Sequence, residues 1–238
     1  MPKTHCLRVW GDLACFTRPE MKVERFSYPV ITPSAARGIL DAIYVKPPEF
    51  RWQVTRIDVL QAPEYIALRR NEVKNKASES SVRRAMQSGA RHLDPVLADE
   101  TAEATGRTQR QTMALRNVSY RLYAEIRPWK SCPVKPAALD EQFQRRATAG
   151  KCFFQPSFGC REFPAYFEYI ESPETLPPPP AINLEIGWML YDTFDLSRPG
   201  NSTSHACISV FWAKVENGVL LVPEFESTDV RKSREVEC

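Results

Sequence analysis

The nine residues 118–126, with the sequence VSYRLYAEI, carry the clearest strand pattern in the chain and do most to decide its fold. Apolar residues recur at every second position from Val118 to Ile126, and polar residues such as Ser119 and Arg121 lie between them. Successive side chains of a strand point to opposite faces of the sheet. The alternation therefore predicts a strand with one face in the core and the other available to a ligand.

The segments around this strand predict two helices and three further strands. Thr32 can cap a helix whose apolar residues recur at i, i+3, i+4 and i+7, and Tyr44 stands where this helix should end. A second helix is predicted at residues 137–149, because Gly150 is a typical helix stop. Strands are predicted at residues 6–10, at 52–68 with a bulge near Arg56, and at 164–170.

In chain order these elements are strand, helix, strand, strand, helix and strand, which is the ferredoxin-like arrangement of RNA-recognition modules. We therefore predict an α+β protein with a ferredoxin-like domain at residues 1–176. A basic insertion at about 69–114 should interrupt it and carry one short helix near 80–88.

The C-terminal residues 177–238 predict a second, smaller module. The four prolines 177–180 are typical of a stiff spacer. Three short antiparallel strands are predicted after it, at residues 186–191, 205–214 and 218–222. The expected second module is a small antiparallel β-sheet.

Composition and charge distribution narrow the class of protein. The net charge is only +3, well below the charge of a histone-like protein, so any sign of nucleic-acid binding must come from local clusters of basic residues such as residues 69–91.

The seven cysteines are odd in number and form no C-x-x-C pair, which disfavours a disulfide framework and a zinc ribbon and favours a reducing cytoplasm. No signal peptide is evident, and no apolar run reaches the roughly 18 residues that would span a bilayer. We expect a cytoplasmic protein with no membrane contact.

Three sequence blocks together resemble a known family. They are VWGD at 9–12 with FT at 16–17, SYP at 27–29 with AIYVKP at 42–47, and FQRR at 143–146 followed by GKCF at 150–153 and GCREF at 159–163. In order and spacing they resemble the CRISPR-associated Cascade subunit five, subtype d, of the RAMP superfamily. The resemblance implies metal-free cleavage of precursor CRISPR RNA within the repeat hairpin, without a cofactor. It also implies that the guide RNA stays bound in a type I-C Cascade complex with its other subunits; double-stranded DNA is a further candidate partner.

Metal-free RNA cleavage uses the 2′-hydroxyl of the substrate as the nucleophile and leaves a 2′,3′-cyclic phosphate and a 5′-hydroxyl. The protein must align the reacting atoms, move protons and neutralise the phosphorane. Tyr44 matches the tyrosine that the family uses catalytically, and orienting the 2′-hydroxyl is its expected role, although it could equally be an aromatic residue covering the core edge. The candidate catalytic cations are Lys46, Arg145 and Lys151.

Arginine side chains are the expected RNA contacts, because a guanidinium holds a phosphate through two hydrogen bonds. Arg145 and Arg146 could instead only solvate a helix face. Phe153 and Phe154 are predicted to be core residues, with base stacking as the alternative. The candidate RNA-binding residues are Arg37, Arg107, Arg110, Arg116, Arg146 and Arg161. Arg107, Arg110 and Arg116 are favoured for phosphate contact, because little acid neutralises them.

The chain departs from the family at one point that bears on catalysis. Ala138 and Leu139 stand where a well-studied type of member has a lysine and a histidine, and the three histidines, His5, His92 and His205, match no family position. We therefore expect His5 and His205 to be structural and cleavage to be slower than in a histidine-bearing relative.

Three other functions stay open on the sequence. The first is a catalytically silent subunit that holds the guide RNA, and the second is a single-strand binder without sequence preference. The third is a metal-dependent DNA nuclease, which is disfavoured because Asp12, Asp41, Glu49 and Asp58 show no recognisable metal-ligand spacing. Cys152 and Cys160 are predicted to be buried free cysteines and not nucleophiles, because no histidine accompanies them.

Overall fold

The computed structural model describes residues 2–73, 78–89, 107–199 and 207–233, and within them the chain is a mixed α/β protein with two antiparallel sheets. The strands are β1 (Thr4–Ala14), β2 (Arg25–Phe26), β3 (Phe50–Val59), β4 (Glu64–Val73), β5 (Arg107–Pro128), β6 (Tyr166–Ile170), β7 (Leu184–Asp192), β8 (Ser209–Val215), β9 (Val219–Leu221) and β10 (Val230–Lys232). The helices are α1 (Pro33–Ile43), α2 (Glu79–Ser88) and α3 (Pro136–Thr148), and a 3-10 turn covers Pro173–Thr175.

The larger sheet is built around β5, as the alternation of residues 118–126 predicts. Its main path runs β6-β1-β5-β3-β9, and β2 and β4 also pair with β5. The apolar positions of the alternating stretch, including Tyr120 and Leu122, are buried. The predicted strand and its buried face are confirmed, although the strand is 22 residues long because both of its ends continue to pair.

Helix α1 begins and ends where the sequence predicts. The Thr32 side chain accepts a hydrogen bond from the Ala35 backbone N–H, and Pro33 occupies the first turn. The apolar positions at the predicted spacing, among them Ile39 and Ile43, are completely buried. Tyr44 is the C-terminal cap residue, in an extended conformation.

Helix α3 ends in a Schellman motif. Gly150 has a φ of +64°, and its N–H donates to the Ala147 carbonyl at 3.1 Å. The N–H of Lys151 donates to the Arg146 carbonyl at 2.9 Å. These two bonds satisfy carbonyls that the end of a helix leaves without partners. They also fix the direction of the chain that leads into residues 151–163.

Two strand predictions need correction. The stretch 52–68 forms two strands, β3 and β4, because Pro63 lies between them; the predicted bulge is confirmed as a register shift between Val54 and Arg56. The third C-terminal strand, β9, pairs with β3 of the larger sheet, and β10 completes the smaller sheet in the order β10-β8-β7. Sequence spacing cannot reveal such a long-range exchange.

The prolines 177–180 cross the larger sheet instead of leading away from it. The Pro177 carbonyl accepts a hydrogen bond of 2.8 Å from Arg121 of β5, and the N–H of Gly218 donates to the Ile182 carbonyl at 2.8 Å. Residues 177–182 therefore lie across the face of β5 on their way from β6 to β7.

Residues Ala67–Thr112 form a compact unit of their own, whereas Met1–Ile66 and Met113–Cys238 form the other. Within the smaller unit the predicted short helix is confirmed as α2, and Arg110 lies 3.3 Å from Glu72. Within the larger unit His5 is buried, and its Nε2 lies 2.9 Å from an Asp140 oxygen and its Nδ1 3.1 Å from the Tyr169 hydroxyl. The structural role predicted for His5 is confirmed. His92 and His205 lie outside the described residues.

Two glycines, one in the VWGD motif and one in the GCREF motif, stand where the two motif regions approach each other closely. A Cβ atom on Gly11 would lie 2.7 Å from the Pro164 carbonyl oxygen and 2.9 Å from the Phe158 ring. A Cβ on Gly159, whose φ is +82°, would lie 2.1 Å from the Cys15 carbonyl oxygen. A hydrogen bond with Cys15 and partial burial raise the pKa of the neighbouring Cys160 thiol, so it stays protonated.

We expect Gly159→Ala to reduce the free energy of unfolding by more than about 3 kcal/mol, because a left-handed backbone and a clash with backbone atoms act together. Gly150→Ala is the matched control, since its φ is also positive but nothing lies within 4 Å of the added Cβ. Its cost should be only about 1–2 kcal/mol. Urea unfolding measures both; equal losses would contradict the close approach at Gly159.

Candidate active site at the end of the first helix

The carbonyl groups at the C-terminal end of α1 are satisfied by residues from distant parts of the chain. The Ala42 carbonyl accepts from the Phe153 N–H at 2.7 Å, and the Ile43 carbonyl accepts from Arg146 Nε at 2.6 Å. The Tyr44 carbonyl accepts from the Trp52 indole N–H at 2.9 Å. Three motif-bearing segments therefore meet at one helix end, which is also the negative end of the helix dipole.

Arg146 is held at this helix end from two sides. Besides its bond to Ile43, its guanidinium carbon lies 4.1 Å from the centre of the Phe153 ring. Phe153 and Phe154 are 60% and 58% exposed, so the prediction that they are core residues is wrong. Phe153 instead keeps a planar cation in place at the surface.

Tyr44 lies near two cations, Lys46 and Arg146. Its ring is buried with 4% relative exposure and packs against Phe50, with 5.2 Å between ring centres. Burial raises the pKa of the Tyr44 hydroxyl, and the charges of Lys46 and Arg146 oppose that shift. Tyr44 is therefore a neutral phenol near neutral pH, which can donate a hydrogen bond but is a poor general base.

Lys46 is tied to a carboxylate that the sequence analysis did not place here. Its ammonium nitrogen lies 2.9 Å and 3.1 Å from the two oxygens of Glu49. The Glu49 carbonyl accepts from the Trp129 N–H at 2.9 Å, and the Trp129 indole donates to the Pro47 carbonyl at 2.7 Å. The segment after α1 is thus fastened to the chain that leads into α3, and Cys132 of that chain also affects the Tyr44 pKa.

The two other candidate catalytic cations lie close by in the chain. Lys151 is exposed, and its backbone is fixed by the bond to Arg146. Arg145 is exposed and donates to Gln142 one turn earlier in α3. Of the two neighbouring arginines, Arg146 bonds to the end of α1, whereas Arg145 bonds within α3. Their predicted roles remain predictions.

The remaining candidate RNA contacts are dispersed, and several already have acidic partners. Arg37 is held by Asp41 and by Asp192, with its Nε 2.7 Å from the Asp192 carboxylate, and these contacts favour a structural role. Arg110 pairs with Glu72 and Arg116 with Glu64, so the expectation that little acid neutralises them is corrected. Arg161 is exposed; Arg107 begins β5, and its side chain lies outside the described residues.

Ala138 and Leu139, which the sequence resemblance places where a well-studied type of family member has a lysine and a histidine, lie in the first turn of α3. Ala138 is exposed, whereas Leu139 is a core residue with 1% exposure. Cys152 is exposed, which corrects its predicted burial, and it is a free cysteine. Among the described residues, no cluster of three or more histidine, cysteine or acidic side chains could hold a metal ion. None of the described helices is long and apolar enough to cross a membrane.

Solved structures share this fold at low sequence identity. A crystal structure of a CRISPR-associated protein matches with a TM-score of 0.65 and 21% identity over 97% of each chain. A functionally uncharacterized protein from Streptococcus mutans matches with a TM-score of 0.62 and 20% identity, also over 97% of each chain.

Two curated relatives are much more similar in sequence. A protein from Mannheimia succiniciproducens named CRISPR pre-crRNA endoribonuclease Cas5d is 41% identical over 95% of this chain and 97% of the relative. A protein of the same name from Thermus thermophilus is 40% identical over 91% of this chain and 90% of the relative. The family model described as CRISPR-associated protein (Cas_Cas5) matches residues 4–223, and the chain therefore belongs to the Cas5d family of CRISPR-associated proteins.

Proposed function

We propose that this protein is a metal-independent endoribonuclease that cuts CRISPR precursor RNA within the repeat hairpin and keeps the resulting guide RNA. The observation that carries the proposal is the meeting of Tyr44, Lys46 and Arg146 at the end of α1, supported by the names of the two curated relatives. A neutral phenol beside two cations suits a substrate whose charge increases as it reacts.

In the proposed reaction the 2′-hydroxyl loses its proton to hydroxide and the 2′-oxygen attacks the neighbouring phosphorus. The P–O5′ bond breaks, and water gives a proton to the departing 5′-oxygen. The Tyr44 hydroxyl orients the 2′-hydroxyl. Arg146 has one of its five N–H donors on the Ile43 carbonyl, and it can offer others to the non-bridging phosphate oxygens. Lys46 must exchange its Glu49 partner for the phosphate. Lys151 and Arg145 supply further positive charge around the bound strand.

The fold supports an RNA-binding role. The order β6-β1-β5-β3, all antiparallel, with α1 after β1 and α3 after β5, agrees with a ferredoxin-like domain, which we propose for residues 1–176. We propose the smaller sheet within residues 177–238 as the second module. Other type I-C Cascade subunits are the proposed protein partners, and double-stranded DNA is a further proposed ligand.

A catalytically silent subunit that only holds the guide RNA is the second candidate function. It is favoured by one observation, the replacement of the family lysine and histidine by Ala138 and the buried Leu139. The two functions differ in a single measurable result, cleavage of the repeat in the absence of divalent metal.

We expect the purified protein to cut a labelled repeat hairpin once in EDTA and to leave a 2′,3′-cyclic phosphate. A hairpin with a 2′-deoxy nucleotide at the cut position should bind but remain intact. Tyr44→Phe should slow the cut by about 10- to 100-fold, because it removes the orienting hydroxyl and keeps the ring on Phe50. Tight binding of the normal hairpin without any cut would identify the silent subunit instead.

The two neighbouring arginines of α3 provide a matched pair. Arg146→Lys should slow single-turnover cleavage by at least about 10-fold, because a lysine lacks the planar fork that can hold a phosphate with two parallel hydrogen bonds and cannot stack flat on Phe153. Arg145→Lys should change the rate less than about threefold, because Arg145 is proposed to supply only positive charge and a lysine supplies the same charge. Equal effects of the two substitutions would remove Arg146 from the proposed site.

The pH dependence of the cleavage step is a further test. Burial keeps the pKa of Tyr44 above its ordinary value, and no histidine stands at the α3 position that the family uses. The single-turnover rate should therefore rise steadily from pH 6 to 9, because hydroxide is left to remove the 2′-proton. A bell-shaped profile centred near pH 7 would mean that a histidine takes part.

A further inference from the structure

A concave site lies on the larger sheet, on the face opposite to the helices. It has a volume of about 400 Å³ and is lined by Arg8, Trp10, Gly11, Asp12, Leu60, Gln61, Asn117, Val118 and Ser119. His5 of β1 packs against Phe143 of α3, so Arg8 and Trp10, an odd number of residues away, point to the other face. The cavity is therefore separate from the end of α1.

The Trp10 ring and the Arg8 cation line one side of this cavity, and the Trp10 ring is supported by Tyr166 on the neighbouring strand. Trp10 and Tyr166 are direct partners across β1 and β6, and their rings are stacked with centres 6.2 Å apart and planes inclined by 30°. Trp10 remains 37% exposed and Tyr166 51% exposed. The guanidinium of Arg8 lies 5.3 Å from the Trp10 ring centre. Its ion pair with Glu168 is long, at 4.0 Å, and both side chains are more than half exposed, so a ligand can displace it.

Other lining residues of the cavity carry polar side chains that are available to hydrogen-bond a ligand. Within the described part of the chain, no hydrogen bond joins the side chains of Gln61, Asn117 or Ser119 to another residue. Asn117 has a φ of +51°, an uncommon conformation in the middle of a strand. Two amides, one hydroxyl and the Asp12 carboxylate thus face the same space as an exposed indole.

We propose that this cavity binds one unpaired nucleotide of the RNA, with its base stacked beside Trp10 and its phosphate on Arg8. The base edge would bond to the amides of Gln61 and Asn117 and to Asp12, whose carboxylate can accept from an exocyclic amine. The volume falls in the usual range of small-ligand sites. Tryptophan, tyrosine and arginine also form hot spots of protein interfaces, but such hot spots are fully desolvated. The polar side chains of Gln61, Asn117 and Ser119 would lose their water there, and they suit the hydrogen-bonding edge of a base better. The inference rests on the proposed function in that it takes RNA as the ligand.

The neighbouring part of this face is already covered, which limits where a strand can lie. The Pro177 carbonyl bonds to Arg121, two residues beyond Ser119 on the same face of β5. A bound nucleotide must therefore lie at the Trp10 end of the sheet, next to the cavity.

The test is a series of repeat RNAs that carry the 2′-deoxy nucleotide at the cut position and, one at a time, an abasic nucleotide at each unpaired position. One abasic position should weaken equilibrium binding to the wild-type protein by about 5- to 150-fold, the usual range for loss of one stacked base. Trp10→Ala should weaken binding of the intact RNA by a similar factor. The same abasic position should not weaken RNA binding by the Trp10→Ala protein any further, because the stack of base on indole is already lost.

Two matched controls separate this effect from general damage. Trp212→Ala removes an exposed indole from the smaller sheet and should leave the affinity unchanged. Asn117→Gly keeps the positive φ without strain and should weaken binding about three- to tenfold, whereas Asn217→Gly, at the other described asparagine of positive φ, should not. Thermal unfolding identifies any variant that has lost its fold; Asn117→Gly then still tests the site if Trp10→Ala is unstable.

Each outcome decides a different claim. The nucleotide site alone is overturned if the protein still cuts the repeat but the affinity loss from Trp10→Ala adds to the affinity loss from every abasic position. A wild-type protein that neither binds nor cuts the repeat overturns the proposed function and the site together. Intact RNA binding by Trp10→Ala, with failure to assemble with other subunits, would assign the cavity to a protein partner.

Discussion

The carbonyl groups at the end of α1 are the constraint on which the site depends. A helix that ends inside a protein must find donors for its last carbonyls, and here the donors come from β3, α3 and the loop after α3. The same bonds that complete the helix therefore also place Tyr44, Arg146 and Phe153. Stability and function are coupled at this point, because none of these residues can move without leaving a backbone oxygen unpaired.

The electrostatics of this helix end also explain why a cation is stable where phosphate is proposed to bind. The negative end of the α1 dipole attracts the Arg146 guanidinium, and Phe153 covers one of its faces. The protein thus holds a positive charge in place without a carboxylate partner on its Nε atom. Arg37, in contrast, pairs with both Asp41 and Asp192, and its positive charge therefore joins α1 to β7.

Local sequence patterns predict the elements of this protein well, and long-range pairing is where they fail. The Thr32 cap, the Gly150 stop and the alternation of residues 118–126 each depend on neighbours within a few residues, and each prediction is confirmed. The pairing of β9 with β3 joins residues more than 150 positions apart, and no local pattern records it. The acidic partners of Arg110 and Arg116 escaped the sequence patterns for the same reason, because Glu72 and Glu64 lie on the adjacent strand and not nearby in sequence. At the candidate active site, sequence motifs predicted roles for Tyr44 and Arg146, and these stay predictions. The exposure of Phe153 could not be predicted, because it depends on the path of a loop.

The buried Leu139 bears on how an enzyme could work without the family histidine. A histidine contributes proton transfer, but alignment of the attacking oxygen and neutralisation of the phosphorane are separate contributions that can be as large. Tyr44, Lys46 and Arg146 can supply those two, so the remaining loss falls on the proton transfer alone. If the guide RNA stays bound after the cut, as we propose, each protein molecule needs only one turnover. The chemical rate then matters less than the stability of the RNA complex, and a core leucine in the first turn of α3 can strengthen the fold at little cost to function.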